Sequence, residues 1–295
     1  MIDGALPRWT RVAFLLTALG VHAVSILFVL IGADGRIRTS ADSQETEHLW
    51  RTWVPVLAGT SAVLLLPRRV TGDDLRRPET TPKAVWALGV QALVLVVCAL
   101  AFVALLLAAG PAEPVYTVGK LLLLLVLPLA LWRFTGFGRE AGARAALRAV
   151  ERPRARVAPL VAVAVWTAAT LAIASTDHGF GYPAEFDPVT LVAIIVIGFL
   201  INAVLEELFY RRWAQTRFEV LVGPVGAILW ASILWALWHV AIQGTGDLLT
   251  DIARVVANQG VTGIFLGLLW WRYRAMWPLL VVHGLVNAVP LFHIG

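Results

Sequence analysis

The sequence predicts an all-α, polytopic membrane helical bundle of eight or nine transmembrane helices. Three observations carry this. Hydrophobic residues fill 59% of the 295 positions and charged residues only 15%, with a mean hydropathy of +0.78, a balance unlike that of a soluble domain. Roughly nine apolar stretches divide the chain, most of them near the 20 or so residues that a spanning helix needs. Arginines crowd into alternate loops, as the positive-inside rule requires of a chain threaded back and forth.

The first stretch, 12–32, follows Arg8 and Arg11; it is long, and no clear small-x-small cleavage site comes after it, so it reads as a retained signal anchor. The stretch 50–66 is short for a span and is followed by Arg68, Arg69, Arg76, Arg77 and Lys83. Next come 84–109 and the shorter 116–132, separated by 110–115, which holds no Lys or Arg. The segment 133–156 is poor in apolar residues, carries Arg139, Arg144, Arg148, Arg152, Arg154 and Arg156, and approaches its end at Pro153 and Pro159; it reads as a basic, helical cytoplasmic connector. Beyond it run 157–176, 188–210, 224–243, 254–271 and 276–293. The loop 177–187 lacks Lys and Arg, whereas Arg211, Arg212 and Arg217 follow the sixth stretch and Arg272 and Arg274 the eighth. The N-terminus is therefore expected inside and the C-terminus outside. In the first outer loop Arg36, Arg38 and Arg51 are offset by Asp34, Asp42, Glu45 and Glu47.

The chain divides into N-terminal membrane helices of unassigned role (1–132), almost free of polar groups, the connector (133–156), and a C-terminal membrane core (157–295) that holds every candidate catalytic residue. A net charge of +5 and a pI near 10.0 would suggest nucleic acid in a soluble protein; here the excess lies in loops facing anionic lipid, which argues against a nucleic-acid partner. The single Cys98 excludes a disulfide framework and a CxxC metal site. Trp9, Trp50, Trp53, Trp132, Trp213, Trp270, Trp271 and Trp277 fall at segment ends, where an interfacial aromatic belt would put them.

Ionisable residues at membrane depth are costly and mark function. Glu206-Glu207-Leu208-Phe209-Tyr210-Arg211 is expected at the inner end of the sixth helix. Glu207 and Arg211, four apart, share a helical face, while Glu206 is turned about 100° away. One carboxylate is then clamped by the arginine and the other faces a cavity as a general base, unless both merely cap the helix at the headgroup layer. Trp235-Ala236-Leu237-Trp238-His239 lies in the seventh helix, where a lone histidine also suits simple packing. In the last helix His283 and Asn287 project from one face and Gly284 allows another helix to approach, an arrangement equally open to interhelical hydrogen bonding. Together the three helices can present a carboxylate, two imidazoles and an amide to one pocket, an inventory suited to hydrolysis by activated water. Neither Ser175 nor Ser232 lies in a nucleophile motif.

EExxxR, aromatic-xxx-His and HxxxN, in that order on successive apolar helices over roughly 160–293, resemble the CPBP (CAAX protease and bacteriocin-processing, or Abi) family of intramembrane proteases. The resemblance implies that Glu206 activates water with His239 beside it, that His283 and Asn287 line the oxyanion site, and that Glu207 and Arg211 support them. Trp235 stands where the family usually has Phe. The resemblance also leaves zinc open, since family members are often described as metalloproteases and Glu206, His239 and His283 would make a three-ligand set. If Glu206 ligates the metal, however, it is not free as a base, and the sequence has no HExxH motif; the expectation is a glutamate-activated water without an obligatory metal.

The leading expectation is an intramembrane endopeptidase acting on a membrane-associated or lipidated peptide or protein, in a bacterial plasma membrane as the arginine-rich, lysine-poor composition suggests. A non-proteolytic membrane partner or immunity protein is the alternative, and a cytochrome with His239 and His283 on haem a third. Depth poses a difficulty, because His239 lies far from the inner end of its helix while Glu206 and His283 lie nearer that face. Either the seventh span begins near Leu229 or the helices tilt; a separation of His239 from both partners beyond about 10 Å would break the single site.

Overall fold

The computed structural model describes residues 4–39, 45–66, 80–151, 158–174 and 187–288. Arg68, Arg69, Arg76, Arg77, Arg152, Arg154 and Arg156, with Asp42, Ser175, the loop 177–186 and the tail 289–293, lie outside the described residues. The helices are α1 (Arg8–Gly32), α2 (Trp50–Leu65), α3 (Pro82–Ala109), α4 (the run Val115–Phe134), α5 (Ala141–Val150), α6 (Ala158–Ala174), α7 (the run Val189–Val222), α8 (Pro224–Leu237), α9 (the run Leu248–Tyr273) and α10 (Met276–Ala288). Among the described residues α1, α3, α4, α7 and α9 are long and apolar enough to cross a membrane, and α6, α8 and α10 are shorter apolar helices. An all-α membrane bundle results, in which five helices among the described residues reach spanning length.

Local sequence sets the ends. Thr81 caps α3 through Ala84 N–H ahead of Pro82, and Gly110, at φ 81°, ends it. Asp187 accepts the backbone N–H groups of Val189 and Thr190 at the start of α7, and the Thr190 hydroxyl together with those N–H groups holds its carboxyl below the usual range. Gly223, at φ 91°, turns the chain and Pro224 opens α8.

Two expectations are corrected here. The sixth span was expected to end near 210, with its arginines in a loop, yet α7 continues to Val222. Its polar side chains find partners inside the bundle: Gln215 Nε2 donates to Gly267 O at 2.8 Å, Arg217 to Gln91, and buried Glu219 pairs with Arg274. Hydropathy read these residues as loop because it cannot see neighbours. A strand pair was not expected, yet Arg36–Arg38 (β1) pairs antiparallel with Thr46–His48 (β2) between α1 and α2, with Ile37 buried against Val29, Leu49 and Ala257.

One main core joins Phe102 and Leu106 of α3, Leu124 of α4, Phe209 and Tyr210 of α7, and Phe265 and Leu269 of α9. Leu27, Ile31, Val97, Leu107, Val192 and Ile197 are exposed, an apolar exterior suited to lipid. Trp9 and Trp50 are exposed as a belt requires; Trp270 is instead buried, its indole N–H donating to Thr216 Oγ1 at 3.0 Å. The helix α5 lies across the starts and ends of spans, with Ala143 and Ala146 buried against Ala84, Leu88, Val220 and Leu221.

Candidate active site

Glu206 and Glu207 stand in the middle of α7, both 0% exposed, so neither caps a helix at the headgroup layer. The helix is π-wound over Phe199–Val204 and Glu207–Gln215, a local winding often found where function re-aims side chains. Each glutamate has its own partners. Glu206 Oε1 accepts from Lys120 Nζ at 2.5 Å, and Oε2 accepts from the Trp235 indole N–H at 2.5 Å. Glu207 Oε1 lies 2.7 Å from His283 Nδ1, and its Oε2 lies 3.4 Å from Arg211 Nε. His283 Nε2 in turn lies 3.9 Å from Glu206 Oε2, so one imidazole sits between the two carboxylates.

Lys120 is the residue that the sequence reading overlooked. It comes from α4, in a region taken as almost free of polar groups, and is fully buried. Its three N–H bonds go to Glu206 Oε1, Asn202 Oδ1 (2.8 Å) and the Tyr116 hydroxyl (2.6 Å), and it lies over the Tyr116 and Trp238 rings at 4.6 and 4.5 Å. The signal was available: a lysine within a leucine-rich spanning stretch is by itself a functional hypothesis.

Arg211 is fully buried and shares the expected face with Glu207, but it makes no bidentate clamp; its guanidinium lies 4.5 Å over the Trp235 ring, and none of its nitrogens has a hydrogen-bond partner among the described residues. Trp235 is more than an exchange of one aromatic wall for another, since its indole N–H supplies Glu206 with a bond that Phe cannot make. Gly263 leaves the space for this, as a Cβ there would stand 3.1 Å from the Trp235 ring. Across α10, Gly284 brings Phe199 of α7 close, 2.9 Å from where a Cβ would stand.

The helix α8 stops at Leu237, and His239 sits in the turn that follows, its N–H bonded to Ala236 O at 3.0 Å. His239 Nδ1 lies 3.2 Å from Trp235 O, and its ring packs 3.9 Å from Trp238 and 5.1 Å from Trp235. Trp235 is also 5.4 Å from the His283 ring, and Glu206 interacts electrostatically with both imidazoles. The depth difficulty is thus resolved by the true end of α7. Because α7 runs on to Gly223 and α8 returns from it, Glu206 and His239 lie almost equally many residues from one turn. Antiparallel helices bring such positions level.

Asn287 is not brought in. It is exposed and makes no hydrogen bond among the described residues, while the amide joined to the charged cluster belongs to Asn202. Ser232 donates to Ile228 O at 2.6 Å, and Cys98 is buried.

The arrangement does not fit zinc. Among the described residues no three His, Cys, Asp or Glu side chains are disposed to hold a metal ion, and the Lys120 ammonium already binds Glu206 where a ligated cation would be repelled. Nor does it fit haem between His239 and His283, since the Trp235 ring lies against both.

No curated protein and no solved structure matches the chain. Residues 188–289, which carry all three motifs, match the family model described as type II CAAX prenyl endopeptidase Rce1-like, and the resemblance to the CAAX protease family therefore holds for this segment.

Proposed function

We propose that the protein is an intramembrane endopeptidase that hydrolyses a peptide bond in a membrane-associated or lipidated peptide or protein. The observation that carries this reading is His283, held by Glu207 on one nitrogen and directed at Glu206 by the other. A base oriented by a second group is the pattern of acid–base hydrolysis. With Nδ1–H donated to Glu207, His283 Nε2 is an acceptor. In the reaction a water hydrogen-bonded to Glu206 Oε2 and His283 Nε2 loses a proton to this pair and attacks the substrate carbonyl; the tetrahedral intermediate then collapses with cleavage of the C–N bond as the pair returns that proton to the leaving amine. Lys120 and Trp235 fix Glu206 by its two oxygens, and His239, which donates Nδ1–H to Trp235 O, presents Nε2 as an acceptor that helps orient the water. Asn287 serves the oxyanion only after α10 shifts.

We further propose eight or nine crossings with the N-terminus cytoplasmic in a bacterial plasma membrane, and the division at 133–156, with 1–132 contributing Lys120 to the core at 157–295. One observation favours a second reading, a non-proteolytic membrane partner or immunity protein: both Glu206 oxygens are satisfied within the chain, as in a purely structural polar network. The deciding experiment is cleavage of a membrane-peptide library by detergent-purified protein, wild type against Glu206→Gln. Cleavage lost in a folded variant supports the protease; cleavage that persists in the variant removes Glu206 from the chemistry.

A further inference from the structure

Away from the glutamates, a cleft of about 250 Å³ opens between α5 and the lower part of α7, lined by Arg144, Arg148, Arg212 and Arg217, with Glu151 as its one acid and Leu147 and Trp213 as apolar walls. It lies where α3 begins and α4 and α7 end, beside the edge-on pair Trp132 and Trp213, ring centroids 4.8 Å apart. Among the described residues four guanidiniums face a single carboxylate, Glu151, which pairs with Arg212 at 3.7 Å, partly exposed, and acts on Arg217 only through space, so a strong positive excess remains.

The cleft is also built rather than incidental. Arg217 is 6% exposed, and its Nε donates to Gln91 Oε1 at 2.9 Å and its Nη1 to Trp213 O at 3.0 Å. Gln91 is itself fixed by donating to Phe137 O at 2.7 Å, and the Trp132 ring lies 4.1 Å from the guanidinium. Arg217 is thus held by neutral acceptors and an aromatic face, its charge not cancelled by a hydrogen-bonded carboxylate. Opposite it, Arg144 and Arg148 stand four apart and exposed on α5, whose Ala143 and Ala146 anchor the helix to the bundle.

We propose that this cleft binds a phosphate group, the headgroup phosphate of an anionic phospholipid. Planar guanidiniums pair with phosphate oxygens in forked geometry, and basic pockets between membrane helices suit anionic headgroups. Leu147 and Trp213 flank the lipid's glycerol and upper acyl carbons. Bound there, the lipid ties the connector helix α5 to the C-terminal part of α7, the helix whose middle carries the site glutamates, independently of whether the site is a protease.

The test uses the full-length protein in detergent, with binding read by native mass spectrometry and by thermal unfolding, against phosphatidylglycerol, phosphatidylcholine and inorganic phosphate. The wild type is expected to prefer phosphatidylglycerol, and Arg144→Gln/Arg148→Gln, two exposed positions, to weaken that lipid by about thirtyfold, the combined effect of two arginines near an anionic surface. If inorganic phosphate alone stabilises the wild type and displaces the lipid, the phosphate site stands and its source is the free anion. Equal binding of the two lipids, or an unchanged preference in the double variant, overturns the proposal.

Discussion

The Lys120 ammonium lies 2.5 Å from Glu206 Oε1 although the two residues are 86 positions apart, on α4 and α7. Both side chains are fully buried, so each is the charge partner that makes the other tolerable inside the bundle. The pair joins the N-terminal helices to the segment with the family motifs.

Breaking that pair from one side strands a buried charge. Lys120→Met is expected to destabilise the protein by about 3–5 kcal/mol, and Lys120→Met/Glu206→Gln to recover most of the loss. Unfolding of both variants in detergent checks this. A double variant as unstable as the single one would show that the ion pair is not the source.

Trp235→Phe removes the indole N–H from Glu206 Oε2 and leaves a smaller ring beneath Arg211 and against the two imidazoles. Loss of a hydrogen bond to a charged group predicts about 1.5–3 kcal/mol of destabilisation, with residual cleavage that still depends on Glu206. Stability equal to wild type would mean that water replaces the indole at no cost.

For the imidazole between the carboxylates, Glu207→Gln is expected to lower kcat about 10²–10⁴-fold with little change in KM, because it disturbs the orientation of a base rather than binding. Steady-state kinetics on the cleaved peptide decide the matter. A change confined to KM would place Glu207 in substrate binding.

Arg211→Lys is expected to impair activity by about tenfold, through loss of the flat guanidinium over Trp235 as well as the altered pair with Glu207. Turnover matching wild type would show that a point charge suffices at this position.

At the turn that sets the depth of the site, Gly223→Ala places a side chain on a backbone at φ 91°. A stability loss of about 1–2 kcal/mol is expected, with cleavage reduced as α7 and α8 lose their relative level. Thermal unfolding and activity together test it; a variant unchanged in both would show that the turn adapts.

Composition and apolar run lengths determined the class of the protein, because lipid exposure demands apolar surface whatever the packing. The ordered motifs on residues 206 to 283 likewise announced Glu206, Glu207, Arg211, His239 and His283 as one group, since each is too costly at depth to be idle. What only the tertiary structure decided was partnership. That Glu206 belongs to Lys120 and Trp235, and Glu207 to His283, depends on contacts between helices distant in sequence, which no periodicity encodes. The extent of α7 was hidden for the same reason: Arg211, Gln215, Arg217 and Glu219 read as loop until their buried partners are known. Asn287, four residues after His283, shared its predicted face but not its burial, because spacing fixes direction along a helix and only the neighbouring helices determine which turns are covered.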